Sequence, residues 1–227
     1  MTRQLTQQQL HYLRLMGITV WTERNKAPDP HPEPLPPTGE GVIAWEKLRK
    51  QVSSCTKCEL HRGRTQTVFG VGDIHAGWML IGEAPGAEED RQGEPFVGRA
   101  GKLLNAMLAA VGLDREHVYI GNILKCRPPN NRDPRPEEVS CCEPYLKQQI
   151  TMIKPRIILA LGRIAAQNLL KVDTPIGKMR GRRYEHPDTG TPVIVTYHPA
   201  YLLRSPREKR KSWQDLQLAM QIYKGQI

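Results

Sequence analysis

Several things are missing from this 227-residue chain, and each absence narrows its function. No apolar run approaches the ~20 residues that span a bilayer. The N-terminus, with Gln4, Gln7, Gln8 and Gln9, lacks a signal-peptide core. The expectation is a cytoplasmic protein with no membrane partner. Acids are in short supply, 23 against 33 Lys and Arg, for a formal charge of +10 and a pI near 9.5. That balance disfavours an acid-rich surface and favours a polyanionic partner such as nucleic acid. Cysteines number five, and in a reducing compartment they are expected to be reduced, metal-bound or buried rather than disulfide-paired. The length suits one α/β domain with an appendage.

The richest stretch is Gly82 to Leu104, GEAPGAEEDRQGEPFVGRAGKLL. It follows the apolar run Trp78-Met79-Leu80-Ile81 and ends in a helical pattern, which predicts a strand, a shaped loop and a helix. Gly82, Gly86, Gly93, Gly98 and Gly101 permit turns or close approach, while Pro85 and Pro95 fix φ on either side of the acidic segment. A loop that also places Phe96 between Pro95 and Val97 is built to hold a ligand.

Along the chain, residues 1–26 read as a weakly amphipathic helix (Leu5, Leu10, Leu13, Met16) stopped at Gly17 and followed by Ile18, Val20 and Trp21. This segment either docks on a partner or folds back on the body. Residues 27–40 include APDPHPEPLPPT, a semi-rigid proline-rich linker. The body, 41–227, opens with a helix over 42–53 with Ile43, Leu48 and Val52 on its apolar side, leading to Cys55-Thr56-Lys57-Cys58. That pair suits two metal thiolates or a redox couple. Cys126 and Cys142, around the turn-rich 127–136, shift the balance toward a four-cysteine metal or cluster site, with zinc as the rival occupant.

Further elements are a helix over 100–111 capped by Gly112, a strand from Val118 through Leu124, a helix opened by Pro136, a buried strand at 156–161 and a helix to Leu170. A strand over 192–197 and a final helix from Ser205-Pro206, with Trp213, Leu216, Met220 and Tyr223 on one face, complete the pattern. Alternating strands and helices call for a three-layer α/β/α fold with a central, mostly parallel, four-stranded sheet. In such sheets ligands bind beyond the strands' carboxyl ends. Glu83 follows the first strand, Asn122 lies late in the second and His198 follows the last, so the three converge at one edge.

The motifs Gly82-Glu83-Ala84-Pro85-Gly86, PFVGRAGKLL, Asn122-Ile123-Leu124-Lys125-Cys126-Arg127-Pro128-Pro129 and His198-Pro199-Ala200 occur in this order. Together they resemble the family 4 uracil-DNA glycosylases, the iron–sulfur branch of that superfamily, over roughly residues 42 to 220. The resemblance implies excision of uracil from single- or double-stranded DNA in base excision repair by a monomeric enzyme. It implies a [4Fe–4S] cluster on Cys55, Cys58, Cys126 and Cys142, the last chosen over Cys141 because Pro144-Tyr145-Leu146 follows it. The implied catalytic residues are Glu83, handling the water, and His198, donating to uracil O2. The implied base contacts are Phe96 by stacking, Asn122 by its amide, the backbone of Ala84 and Gly86, and the region of Glu89 as a wall against the thymine methyl. Ala84 stands where better-known uracil glycosylases carry aspartate.

Arg204, Arg207, Lys209 and Arg210 are candidate phosphate contacts, with Arg180, Arg182 and Arg183 as a second patch. A covalent-trapping relative carries Lys-Arg-Arg-Ile-His after the Asn strand. Here residues 127–136 read RPPNNRDPRP, which favours turnover. The alternative class is a non-catalytic DNA-binding or replication-associated protein on the same fold. LHYLRLMGITVWTERN also resembles the peptide by which the clamp-loader psi subunit engages chi, through Leu13, Gly17, Ile18 and Trp21.

Overall fold

The computed structural model describes residues 39–226. The expected N-terminal peptide and nearly all of the linker lie outside them. Among the described residues no helix is long and apolar enough to cross a membrane.

The chain runs α1 (Gly39–Ser53), β1 (Val71–Gly72), β2 (Trp78–Gly82), α2 (Ala87–Gln92), α3 (Arg99–Ala110), β3 (Tyr119–Asn122), α4 (Pro136–Ile153), β4 (Ile157–Leu161) and α5 (Arg163–Leu170). It continues through α6 (Ile176–Met179), β5 (Arg183–Glu185), β6 (Pro192–Thr196), α7 (Pro199–Arg204) and α8 (Lys209–Tyr223). The sheet has six strands in the order β1-β3-β2-β4-β6-β5. Its centre, β3-β2-β4-β6, is parallel, while β1 and β5 pair antiparallel on the two edges. The expectation of four strands is therefore corrected to six in a mixed sheet. The two additions are only two and three residues long, Val71-Gly72 and Arg183-Tyr184-Glu185. Short, polar or glycine-containing edge strands carry no apolar run for sequence reading to detect, and such edges discourage further pairing.

The central strands alternate between two cores because successive side chains point to opposite faces. Met79, Ile81, Ile158, Ala160, Val193 and Val195 meet α1, α4 and α5 on one face. Trp78, Leu80, Ile157, Leu159, Leu161 and Ile194 meet α3, α7 and α8 on the other. The result is the three-layer α/β/α arrangement.

Three local details depart from the sequence expectation. In α1 Ile43 is 69 % exposed, and Trp45 turns inward instead to meet Phe69 and Tyr119 edge-on at 5.2 and 5.5 Å. Strand β3 stops at Asn122, because the Ile123 and Leu124 N–H groups donate to the Gly82 and Glu83 carbonyls and turn the chain. In α8 the buried face is Leu216, Ala219, Ile222 and Tyr223, with Asp215, whereas Trp213 is exposed.

Asp215 is fully buried and accepts from Arg180 Nε and Nη2 at 3.1 and 2.8 Å and from the Gly181 N–H at 3.0 Å. Arg180 also lies over the Tyr197 ring at 5.0 Å, so it is committed inward rather than offered to phosphate. Removing one partner of a buried pair leaves an uncompensated charge. Arg180→Met is expected to lower unfolding stability by about 3 kcal/mol, read from urea denaturation at constant m-value.

Candidate functional site

Register brings the site together. Gly82 lies opposite Asn122 across β2 and β3, and Leu161 opposite Thr196 across β4 and β6. The residues that follow, Glu83, Gly162 and His198, therefore emerge at the same carboxyl edge. Gly82 is the meeting point of two of the site's side chains. A Cβ there would strike Asn122 Oδ1 and lie 2.7 Å from Phe96 Cζ. Glycine is the residue that lets the amide and the ring approach a common patch of backbone.

Asn122 is 2 % exposed, and its Oδ1 has no hydrogen-bond partner among the described residues. Buried acceptors are rarely left so. This acceptor and the Phe96 ring both close on the Gly82 backbone. Phe96 adopts φ +54°, a left-handed conformation that is strained for a bulky residue and persists only where surroundings enforce it. Here they do. Gly101 of α3 sits against the Phe96 carbonyl, where a Cβ would collide. Arg115 donates to the Phe96 carbonyl at 3.4 Å and to the Pro95 carbonyl. Glu89 Oε1 accepts from the Val97 and Gly98 N–H groups at 3.1 and 3.3 Å, while its Oε2 accepts from the Gly86 N–H at 3.1 Å. The Glu89 carboxylate thus ties both ends of the loop together, and the Gly86 N–H is engaged by it. Ala84, partly buried, packs on the core beneath.

His198 caps α7, its Nδ1 accepting from the Ala200 N–H at 3.1 Å. An accepting Nδ1 assigns the proton of the neutral ring to Nε2. Burial, aided by the Arg204 charge and opposed by Glu89, brings its pKa down to about 4, so the ring is a neutral donor near neutral pH. It lies 5.4 Å from the Phe96 ring, tilted by 30°. Glu83 is half-buried, and burial pushes its pKa up to about 7, with Asp133 raising it further and Arg163 opposing. Asp133 and Arg163 are themselves paired at 2.7 Å. The edge therefore offers a ring face, an amide that both donates and accepts, a neutral N–H donor and a carboxyl group poised near neutrality. This set can grip a planar heterocycle and handle a water beside it.

On the face covered by α1 and α4, Cys55, Cys58, Cys126 and Cys142 line one pocket together with Cys141, Arg64, Lys125 and Tyr145. All five thiols are free of disulfides. Burial raises Cys142 to about 11 and also lifts Cys58 and Cys126. Two N–H groups point at sulfur: Arg64 Nη1 at Cys126 (3.2 Å) and the Lys125 main chain at Cys142 (3.3 Å). Cys141 donates to the Lys57 carbonyl at 3.3 Å. Among the described residues no three His, Cys, Asp or Glu side chains are gathered as ligands of one ion. The shared lining, free thiols and N–H donors to sulfur suit a group held by thiolates.

Arg204, Arg207, Lys209 and Arg210 are exposed at the end of α7, in the turn 206–208 and at the start of α8. Among the described residues none of the four is ion-paired with an acid, and Arg204 is close enough to act on His198. Sequence reading missed Arg115 and Arg64, which act from distant segments with no local pattern. It also passed over Lys125, whose position inside the apolar run Ile123-Leu124-Lys125-Cys126 was a usable signal.

The family model described as the uracil DNA glycosylase superfamily matches residues 69–217. A type-4 uracil-DNA glycosylase of Archaeoglobus fulgidus is 51 % identical over 168 residues, covering 71 % of this chain and 84 % of that protein. One from Thermotoga maritima is 46 % identical, covering 70 % and 83 %. A type-5 uracil-DNA glycosylase of Pyrobaculum aerophilum is 32 % identical, covering 58 % and 64 %. The chain therefore belongs to the uracil DNA glycosylase superfamily, alongside its type-4 members.

Proposed function

We infer that this chain is a uracil-DNA glycosylase, which excises uracil from DNA by hydrolysing the N-glycosidic bond. The relatives above support the activity, and one observation carries its assignment to this site. That observation is the buried, unpartnered Oδ1 of Asn122 beside the Phe96 ring and the His198 donor. A base inside a duplex must be turned out to be reached. Uracil then presents N3–H to the open Oδ1 and O4 to the amide N–H, with its face on Phe96. Cytosine reverses donor and acceptor at both atoms and leaves buried groups unpaired, the mismatch that discriminates most strongly.

His198 donates from Nε2 to O2 and stabilises the negative charge that develops on the departing base, as an oxyanion donor does. Glu83, in its ionised form, orients the water and faces the positive charge growing on the sugar. Ala84 stands next to it where better-known uracil glycosylases carry aspartate. Glu89, fixed by its three main-chain donors, provides a rigid wall against a thymine methyl. Arg204, Arg207, Lys209 and Arg210 grip the flanking phosphates.

The cofactor proposed is a [4Fe–4S] cluster on Cys55, Cys58, Cys126 and Cys142, with zinc as the rival. When bound, the group supplies metal–thiolate bonds that join the end of α1, the end of β3 and α4. The proposal also includes a monomeric enzyme in the cytoplasm, and docking of residues 1–26 on chi, supported by the sequence pattern alone.

Two experiments test these assignments. On an oligonucleotide with one uracil, single-turnover cleavage should yield an abasic product. Its rate should fall about tenfold per pH unit well below 7 and level off above, because only ionised Glu83 works and its pKa is about 7. His198, brought down to about 4 by burial, stays neutral across the bend of this profile. Glu83→Gln should slow cleavage by about 100-fold or more and flatten the profile. Absence of abasic product from cofactor-loaded protein would exclude the enzyme and favour a non-catalytic DNA-binding role. Separately, anaerobically purified protein should show the broad visible absorption of an iron–sulfur cluster, lost in Cys142→Ala. Colourless protein with stoichiometric zinc would overturn the cluster.

A further inference from the structure

One buried polar cluster is used by none of these steps. Lys125 is 1 % exposed, and among the described residues no carboxylate meets it. Its Nζ donates to the Asn122 carbonyl at 2.9 Å and to Gln149 Oε1 at 2.7 Å. Gln149 is also fully buried, and its Nε2 donates to the Phe69 carbonyl at 3.0 Å and the Tyr119 hydroxyl at 2.9 Å. Both partners of Nζ are acceptors, so the amine donates to them whether charged or neutral. The main chain of Lys125 faces two further segments. Its N–H donates to Cys142 Sγ at 3.3 Å, and its carbonyl accepts from the Val68 N–H at 2.8 Å.

An apolar side chain would fill the same space without the cost of burying an amine. What an apolar side chain cannot do is hold the Asn122 carbonyl. That carbonyl belongs to the last residue of β3, whose side-chain Oδ1 has no hydrogen-bond partner among the described residues and lies beside the Phe96 ring. A peptide held from behind by a buried donor fixes the direction in which its side chain leaves.

We propose that Lys125 is a positioning residue for base recognition: by tying the Asn122 carbonyl to Gln149, it sets the aim of the Asn122 amide. Through its own main chain it joins that aim to the cysteine site. The inference rests on the reading of Asn122 as the residue that selects uracil.

The test compares full-length wild type with Lys125→Met, Lys125→Gln, Gln149→Leu and Asn122→Ala. The readouts are kcat and KM on uracil-containing DNA, inhibition by free uracil, and melting temperature. For Lys125→Met, kcat should fall about tenfold and the inhibition constant of free uracil rise about tenfold, the scale of a sub-ångström misplacement. KM for DNA should stay within about twofold, since the phosphate contacts are untouched. Lys125→Gln, which keeps a donor, should recover part of the loss, and Gln149→Leu should shift both constants in the same direction by less.

A merely structural role would lower the melting temperature and active fraction while leaving uracil inhibition unchanged. Unchanged inhibition in folded Lys125→Met overturns the proposal. If that variant does not fold, the same criterion applied to Gln149→Leu decides. Weakened inhibition in Asn122→Ala with none in the Lys125 and Gln149 variants sinks this proposal alone. Unchanged inhibition in Asn122→Ala removes the reading on which it rests.

Discussion

The site depends on a missing atom. At the end of β2 the backbone must pass beneath two side chains from different parts of the chain, the Asn122 amide from β3 and the Phe96 ring from the loop before α3. Only a residue without Cβ leaves room for both. Parallel register places Gly82 directly beside Asn122, so the approach of amide to backbone follows from the sheet. The approach of the ring is forced from the other side by Gly101, Arg115 and Glu89, which together hold Phe96 at a positive φ. The pocket is thus the product of one close approach and the braces that maintain it.

Three features there run against stability on their own: a strained aromatic residue, a buried acceptor with no partner, and a carboxyl group lifted toward neutrality by burial. Such departures concentrate at functional sites because the surrounding fold over-determines them. In the proposed function each has a counterpart in the chemistry of a flipped uracil. There the strained ring would supply a flat face, the acceptor would meet N3–H, and the raised carboxyl group would change charge in the range where the water must be handled. His198 completes the set as a neutral donor, its tautomer assigned by a bond from the next turn of chain.

Much of this was legible in the sequence. Glu83 and His198 follow apolar strands and Asn122 ends one, so a parallel sheet brings them to one edge once its strands are recognised. The fold was legible only in its centre. The edge strands β1 and β5 lack an apolar run, and their pairing arises from neighbours already in place. The braces were hidden for another reason. Arg115 meets Pro95 and Phe96 from about twenty residues away, and Arg180 finds Asp215 from 35 away. Nothing local distinguishes these arginines from those offered to solvent. Ile43 and Trp45 illustrate the same limit, since both suit an apolar helix face and only the position of Phe69 and Tyr119 decides which turns in.

Gly82→Ala removes the room at Gly82 on which the proposed base pocket depends. One methyl group should drive the Phe96 ring and the Asn122 amide apart, and misplacement of that order costs about 100-fold in rate. The account predicts a loss of about 100-fold in kcat/KM for uracil excision, with a near-native melting temperature and unchanged affinity for undamaged DNA. Excision by folded Gly82→Ala at the wild-type rate would contradict it.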